Sequence, residues 1–432
     1  MKWILILIGI LFSSFAQGKK SDQFLANTSQ CELLYKGSAV CSPSITLIKC
    51  IDQAWNVSWN RFYNADTQLF YDYLSSYKHG KELSHLPTAD EVLRQYPNNC
   101  GYDTGMEDCM ISAGVILSMI VDRYEITKCE KLRKYAYSVF QGIKRCASVH
   151  GVPGFLARGV CVGDRKSIYI SSSRDQYTHA VHGLWCYFHS PLCDSKTKIE
   201  IGKILSSIAD RMKQNVTPGN DYDSMRADGT HDTRGISRMW NVSGHEAARL
   251  PMIYAAAWNT TGNEEYYQLY RKYIEQAIRQ SFMIEDRTTT YALLQVQCSL
   301  ELLLSLEREP ELINQMKEIM MMVSKKAYPR AINANNIAGK LNLSMVGSDW
   351  RTGEGLNPKG EYRKVWYCIR ESGEAALAQL MYSGGVFPEE QKRLLIHAIM
   401  QLDYRRVSSN GIFYLQGAYW KARKLGIFNG KE

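Results

Sequence analysis

Beyond its first residues the 432-residue chain has no apolar run long enough to cross a bilayer, which takes about 20 residues of helix. An internal membrane span is therefore not expected. The chain has no Cys-x-x-Cys pair and no regular spacing of cysteine and histidine, which argues against a structural zinc site. It has no runs of like charge beyond pairs such as Lys19-Lys20 and Lys325-Lys326. A formal charge of +9 spread in this way describes a solvated surface with a mild preference for anionic ligands, acidic glycans included, and does not point to nucleic acid. Alternating strand patterns are few and short, and no linker divides the chain. The hydrophobic content of 45% with 22% charged residues suits a globular chain with a large core.

What is present begins at the N-terminus. Met1-Lys2-Trp3 precedes the apolar stretch ILILIGILF and then the small, polar SSFAQG, with Ala16 and Gly18 before a plausible cut. A charged start, a short apolar core and small residues make a secretory signal peptide over residues 1–18. The remaining residues, 19–432, are expected to form one domain in a secreted or lumenal setting: extracellular, periplasmic or lysosome-like. Twelve cysteines form an even set, ten of them before residue 200, and in an exported chain that leads to disulfides. Six Asn-x-Ser/Thr sequons, at Asn27, Asn56, Asn215, Asn241, Asn259 and Asn342, mark surface positions if the host glycosylates.

Apolar residues return at three- and four-residue intervals almost throughout. Helices are expected at 45–63, 67–78, 88–97, 105–124, 128–147, 174–189, 196–213, 243–258, 263–282, 287–306, 309–325, 370–382, 389–401 and 411–424. Thr88 to Glu91 and Ser243 to Glu246 have capping-box spacing, and Pro310 stands where a helix begins. Irregular stretches fall at 149–173, 215–242 and 327–369. The fold class is all-α, with six helical hairpins closed into an (α/α)6 toroid.

Four polar clusters could carry chemistry. Asp103 and Glu107, four apart before the apolar helix MISAGVILSMIVDRY, can face a helix mouth or simply cap it. In the second, Arg158 ends the loop VPGFLAR, and Arg174, Asp175, Tyr177, His179, His182 and Trp185 follow. Asp175, His179 and His182 form one stripe on a helix. That stripe reads as a metal site, as satisfied core hydrogen bonding, or as a substrate-binding acid/base wall. Arg158 and Arg174 suit a carboxylate or sulfate. The third cluster brings Trp240, His245 and Glu246 together at a helix start, where Glu246 equally serves a capping box. The fourth holds Arg351, then Arg370, Glu371 and Glu374, for which an internal ion pair is the plain account. All four share a polar, Gly-containing loop followed by a helix whose first turn is ionisable, so in a toroid they could converge at one end.

The segments GYDTGMEDCMISAGVILSMIVDRY, VPGFLARGV with SSSRDQYTHAVHGLW, and IRESGEAALAQLM resemble the six-hairpin, (α/α)6-barrel glycosidase superfamily. The resemblance implies a toroid and a carbohydrate substrate, commonly a uronic-acid-containing polysaccharide. The leading expectation is a secreted glycoside hydrolase on an acidic poly- or oligosaccharide. Asp175 and one of Asp103, Glu107 or Glu246 would divide the acid and base roles. Tyr177, Trp185 and Trp240 would stack on sugars, and Arg158 would hold an anionic substituent; Arg174, His182, His245, Arg351 and Glu371 complete the substrate-binding set. One alternative is a polysaccharide lyase in which Arg158 neutralises a uronate and His179 or Tyr177 takes the C5 proton. Another is a non-catalytic glycan-binding protein on the same scaffold. No cofactor and no metal are expected.

Overall fold

The computed structural model describes residues 43–352, 360–382 and 387–428. The expected signal peptide, Cys31, Cys41 and the sequon at Asn27 lie outside these described residues.

The helices fall into two classes that their sequences explain. Helices α3 (Cys109–Thr127), α5 (Arg174–His189), α7 (Arg249–Thr261), α9 (Thr290–Leu306), α11 (Tyr362–Leu380) and α13 (Gly411–Lys424) are buried almost all round. A helix apolar on every side belongs inside. They touch in the order α3, α5, α7, α9, α11, α13 and back to α3, which closes an inner ring. Helices α1 (Pro43–Val57), α4 (Leu132–Ser148), α6 (Ser195–Asn215), α8 (Glu264–Ser281), α10 (Pro310–Ala338) and α12 (Glu389–Met400) form the outer layer. In α8 only Tyr266, Tyr270, Ile274, Ala277, Ile278 and Ser281 are buried, a single stripe facing inward.

Side chains stitch the outer helices to one another. Trp55 of α1 meets Tyr135 of α4 edge-on at 5.0 Å, Lys144 of α4 bonds Glu200 of α6 at 2.8 Å, and Tyr266 of α8 donates to Asp210 of α6 at 2.8 Å. Helices α8 with α10, α10 with α12 and α12 with α1 are in direct contact. Six inner and six outer helices make the (α/α)6 toroid that the sequence resemblance implies. A short helix α2 (Ala89–Leu93) lies outside this pattern.

The inner helices approach closely where side chains are absent. A Cβ on Gly114 of α3 would stand 2.1 Å from the His179 carbonyl oxygen of α5, and one on Gly183 would stand 2.7 Å from the Gly114 oxygen. Two glycines thus set the α3–α5 spacing.

Several expected elements differ. Residues 67–78 are not helical: β1 (Tyr63–Asn64) pairs antiparallel with β2 (Leu69–Phe70), and the Asn64 side chain accepts from the Asp66 and Thr67 amides at 3.0 Å to form the turn. Helix α10 continues through Pro329 to Ala338, although 327 onward reads as irregular. Ala327, Ala331, Ala334 and Ala338 stay buried on one face, so packing outweighs the hydrogen bond that proline removes. Helix α11 starts at Tyr362 and not at 370. The capping boxes Thr88–Glu91 and Ser243–Glu246 form, and Pro310 opens α10.

The expected disulfide stapling is a correction: no disulfide joins described residues. Cys50, Cys100, Cys109, Cys146, Cys161, Cys186, Cys193, Cys298 and Cys368 are free thiols, most of them buried. The buried ones pack as small apolar groups, and an even count carries no information on pairing.

Candidate active site

Polar side chains at the starts of α3, α5, α7 and α9 interlock with charged side chains from the middle of α11. Asp108, just ahead of α3, meets Arg370 of α11 at 2.9 Å. Arg370 reaches Glu374 at 2.6 Å, and Glu374 accepts from the Thr290 hydroxyl of α9 at 2.7 Å. Asp175 of α5 pairs with Arg249 of α7, whose guanidinium also donates to Gln295 of α9 at 2.5 Å. Arg174 of α5 pairs with Glu246. Gln176 of α5 donates to the Glu107 carbonyl oxygen at 3.0 Å and to Asp108 Oδ1 at 3.1 Å. Five inner helices therefore supply a polar layer of three bonded groups that meet at the consecutive residues Arg174, Asp175 and Gln176 of α5.

The exposed members of this layer differ in charge state. The Asp175 side chain is 29% exposed and that of Asp108 16%. Burial pushes the Asp175 carboxyl up, but Arg249, then Arg174 and Arg158, outweigh it and hold the pKa below the ordinary aspartate value. Asp175 is an anion. Burial and then the neighbouring Glu374 carboxylate push the half-buried Glu371 up, so this carboxyl keeps its proton to higher pH. Glu374 is also raised, burial exceeding the pull of Arg370. Behind the layer, Asp72 accepts from the Asp108 amide at 3.0 Å, and burial followed by Glu107 and Asp108 raises it well above the usual range. His245 beside Glu246 is 27% exposed, and burial lowers its pKa. It is a neutral imidazole at the mouth.

Of the residues singled out from sequence, Asp175, Arg158, Arg174, His245 and Glu246 gather at or beside this layer, while Glu371, next to Arg370 in the chain, stands in the fields of Glu374 and of Arg330 on α10. Glu107 turns back on its own loop, accepting from the Gly105 amide at 2.8 Å and the Asp103 amide at 3.3 Å. Asp103 adopts the left-handed backbone conformation, φ 80°. Glu246 carries both the capping box and the Arg174 pair. Arg158 donates to the Glu107 carbonyl oxygen at 3.1 Å and to the Tyr102 hydroxyl at 3.2 Å, and so is committed to the protein.

The others lie elsewhere. Tyr177 is fully buried with its hydroxyl on the Leu156 amide and the Gly154 carbonyl; it clamps the VPGFLAR loop and stacks on no sugar. Trp185, near the far end of α5, donates to Asn259 at 3.1 Å. Trp240 packs edge-on against Tyr273 at 4.7 Å. Arg351 braces Glu91 at 2.6 Å and Asp349 at 3.0 Å. His179, one turn below Asp175, is buried, and desolvation lowers its pKa to about 3. The stripe of Asp175, His179 and His182 does not converge on one point. Among the described residues the group with the spacing of a metal site is instead His182, Cys186 and Glu301.

Sequence reasoning passed over Asp108, Arg249, Thr290 and Gln295, and took Arg370 with Glu374 as an internal pair only. It also missed Tyr291, 38% exposed and standing in the fields of Asp175 and Arg249. Asp108 had a signal, its place directly before a helix whose first three turns carry no charge.

No protein-family model matches the chain, and no curated protein matches it. Solved structures with a similar course include a sugar epimerase from a ruminal bacterium, at 12% identity and TM-score 0.47 over 85% of this chain and 98% of that one. A D-mannose isomerase is similar at 11% identity and TM-score 0.43, over 90% and 100%. The α-1,6-mannanase from Salegentibacter sp. HEL1_6 is similar at 13% identity and TM-score 0.37, over 79% and 100%. At such scores and identities the likeness carries no chemistry over to this chain.

Proposed function

We propose that the chain is a carbohydrate-active enzyme, exported as its leader-like start suggests, and that it hydrolyses glycosidic bonds at the mouth of the inner ring. The observation that carries this reading is Asp175: a carboxylate in the first turn of an inner helix, kept ionised by buried Arg249 yet still open to the mouth. Asp175 acts as base or nucleophile and Glu371, whose carboxyl is shifted up by burial and by Glu374, as acid. Two carboxyls with pKa values driven apart are what glycoside cleavage requires. Glu107 and Glu246 have other partners and leave these roles to the pair. Tyr291 offers an aromatic face to a sugar ring.

An anionic substituent on the substrate falls to Arg234, which pairs with Asp232 at 3.6 Å but stays more exposed than Arg158 and Arg174. Arg234 lies over the Tyr102 ring at 4.9 Å with its side chain 39% exposed. The test is reducing-end release from neutral and uronate-containing oligosaccharides. Asp175→Asn and Glu371→Gln should each lower kcat by about 10²–10⁴-fold. Arg234→Ala should raise KM for the uronate substrates alone. Unchanged turnover in Asp175→Asn removes the proposal.

A second reading has its own observation, the partly exposed imidazole of His245 beside Glu246, within the field of Asp175. As a general base it would take a proton next to a carbonyl or uronate, the first step of a lyase or an epimerase. A lyase would generate near-ultraviolet absorbance from an unsaturated product. An epimerase would exchange substrate hydrogen with deuterated solvent and release no reducing ends.

A further inference from the structure

Two turns below Asp175 on α5, a second polar cluster lies in the interior of the ring. His182 Nε2 stands 2.7 Å from Glu301 Oε2 of α9 and 3.7 Å from Cys186 Sγ. The three donor atoms all lie within 4.8 Å of one another. Cys298, one turn before Glu301 on the same helix face, joins His182 in lining a cavity of about 10 Å³, room for roughly one water. Asp122 and Lys421 also line it.

We infer that His182, Cys186 and Glu301 form a binding site for a borderline-soft divalent cation, zinc foremost. The site clamps α5 to α9, helices that touch directly inside the ring. The separation between His182 and Cys186 is close to the edge of a tetrahedron built on zinc–nitrogen and zinc–sulfur bonds of about 2.0 and 2.3 Å, which is about 3.5 Å. The nitrogen-to-oxygen gap has to open by about 0.6 Å to reach the corresponding edge, within the swing of a glutamate side chain. An imidazole, a thiolate and a carboxylate suit zinc and do not suit magnesium or calcium, which take oxygen donors.

Charge agrees. A thiolate and a carboxylate cancel a divalent cation, so the interior gains no net charge on loading. Lys421 stays balanced by Asp122 at 3.1 Å, while its contact to Glu301 Oε1 at 3.1 Å leaves Oε2 directed at the histidine. Such an outer partner orients a ligating carboxylate. The helix spacing places the cation about 10 Å below Asp175, seven residues at about 1.5 Å each. It is thus a structural clamp and takes no part in bond cleavage at the mouth.

The full-length protein, stripped with a chelator and reloaded with cobalt(II), reads the site directly. The expected result is about one bound equivalent, with a thiolate-to-cobalt charge-transfer band and tetrahedral visible absorption. Zinc should displace the cobalt and raise Tm by several degrees. Cys186→Ser should lose the charge-transfer band while keeping its helical circular dichroism, and His182→Gln should weaken retention. A wild-type protein that binds no cobalt and whose Tm ignores zinc and chelator overturns the inference. So does cobalt retained with an unchanged spectrum in Cys186→Ser.

Discussion

Asp108 and Arg370 are 262 residues apart in the chain and 2.9 Å apart in space. Their contact joins the start of α3 to the middle of α11 and, through Glu374 and Thr290, to α9. Arg370 is 7% exposed at its side chain and Glu374 2%, so the network sits where an unpaired charge is costly. Arg370→Met should destabilise the protein by about 3–5 kcal/mol, because Asp108 and Glu374 lose their shared cation together. Urea unfolding of Arg370→Met beside the double variant Arg370→Met/Glu374→Leu checks the cause. The double variant should recover part of the loss, since it no longer strands Glu374.

The Asp175–Arg249 pair sets the acid limb of activity. With Asp175 acting as an anion, activity persists as pH falls until this carboxyl is protonated, and Arg249 displaces that point below the ordinary aspartate range. Replacing Arg249 with methionine leaves burial as the main influence, and burial raises a carboxyl. The acid limb of kcat/KM should therefore move to higher pH in Arg249→Met, while the basic limb stays in place. A pH–rate profile of wild type and variant reads the shift, and an immobile acid limb would separate Asp175 from the rate.

How much of this was legible in the sequence depends on how far apart the partners lie. Helix α5 is a local pattern, and its expected limits, 174–189, are those observed. The capping boxes at Thr88 and Ser243 span three residues, and they too form. The closed ring follows from repeated hairpins and from the resemblance. The polar layer is different in kind. Asp175 finds Arg249 and Asp108 finds Arg370 only after the ring closes, so no spacing announces either pair. Glu107 illustrates the opposite error: its carboxylate looked catalytic by position, yet loop amides two and four residues back take it up. The continuation of α10 past Pro329 was hidden because proline is a strong local signal and the alanine stripe that overrides it is a weak one.

The α3–α5 contact makes a sharp prediction about Gly114. Its missing Cβ is replaced by the His179 carbonyl oxygen, a backbone atom that cannot swing aside. Gly114→Ala should cost about 3 kcal/mol or more by pushing the two helices apart, even though alanine is the better helix former. Gly151→Ala is the useful contrast: its Cβ would meet nothing within 4 Å, and φ 72° alone is strained. Its smaller loss, about 1–2 kcal/mol, should appear in thermal melts without the expanded, dye-binding state expected of Gly114→Ala.

The thiols provide the last prediction. Cys109, Cys146 and Cys161 surround Tyr71 and, like Cys193, Cys298 and Cys368, are buried without a disulfide. Burial raises the thiols of Cys109, Cys146, Cys161, Cys193 and Cys368 above the ordinary thiol value, and a neutral thiol is a poor nucleophile. In the folded protein these cysteines should resist alkylation for as long as the ring stays closed, so their labelling rates report opening of the fold. After unfolding in denaturant and chelator without reductant, all should label, and peptide mass spectrometry identifies each. A described cysteine that labels only after reduction would expose a disulfide and would require the helices that carry it to move.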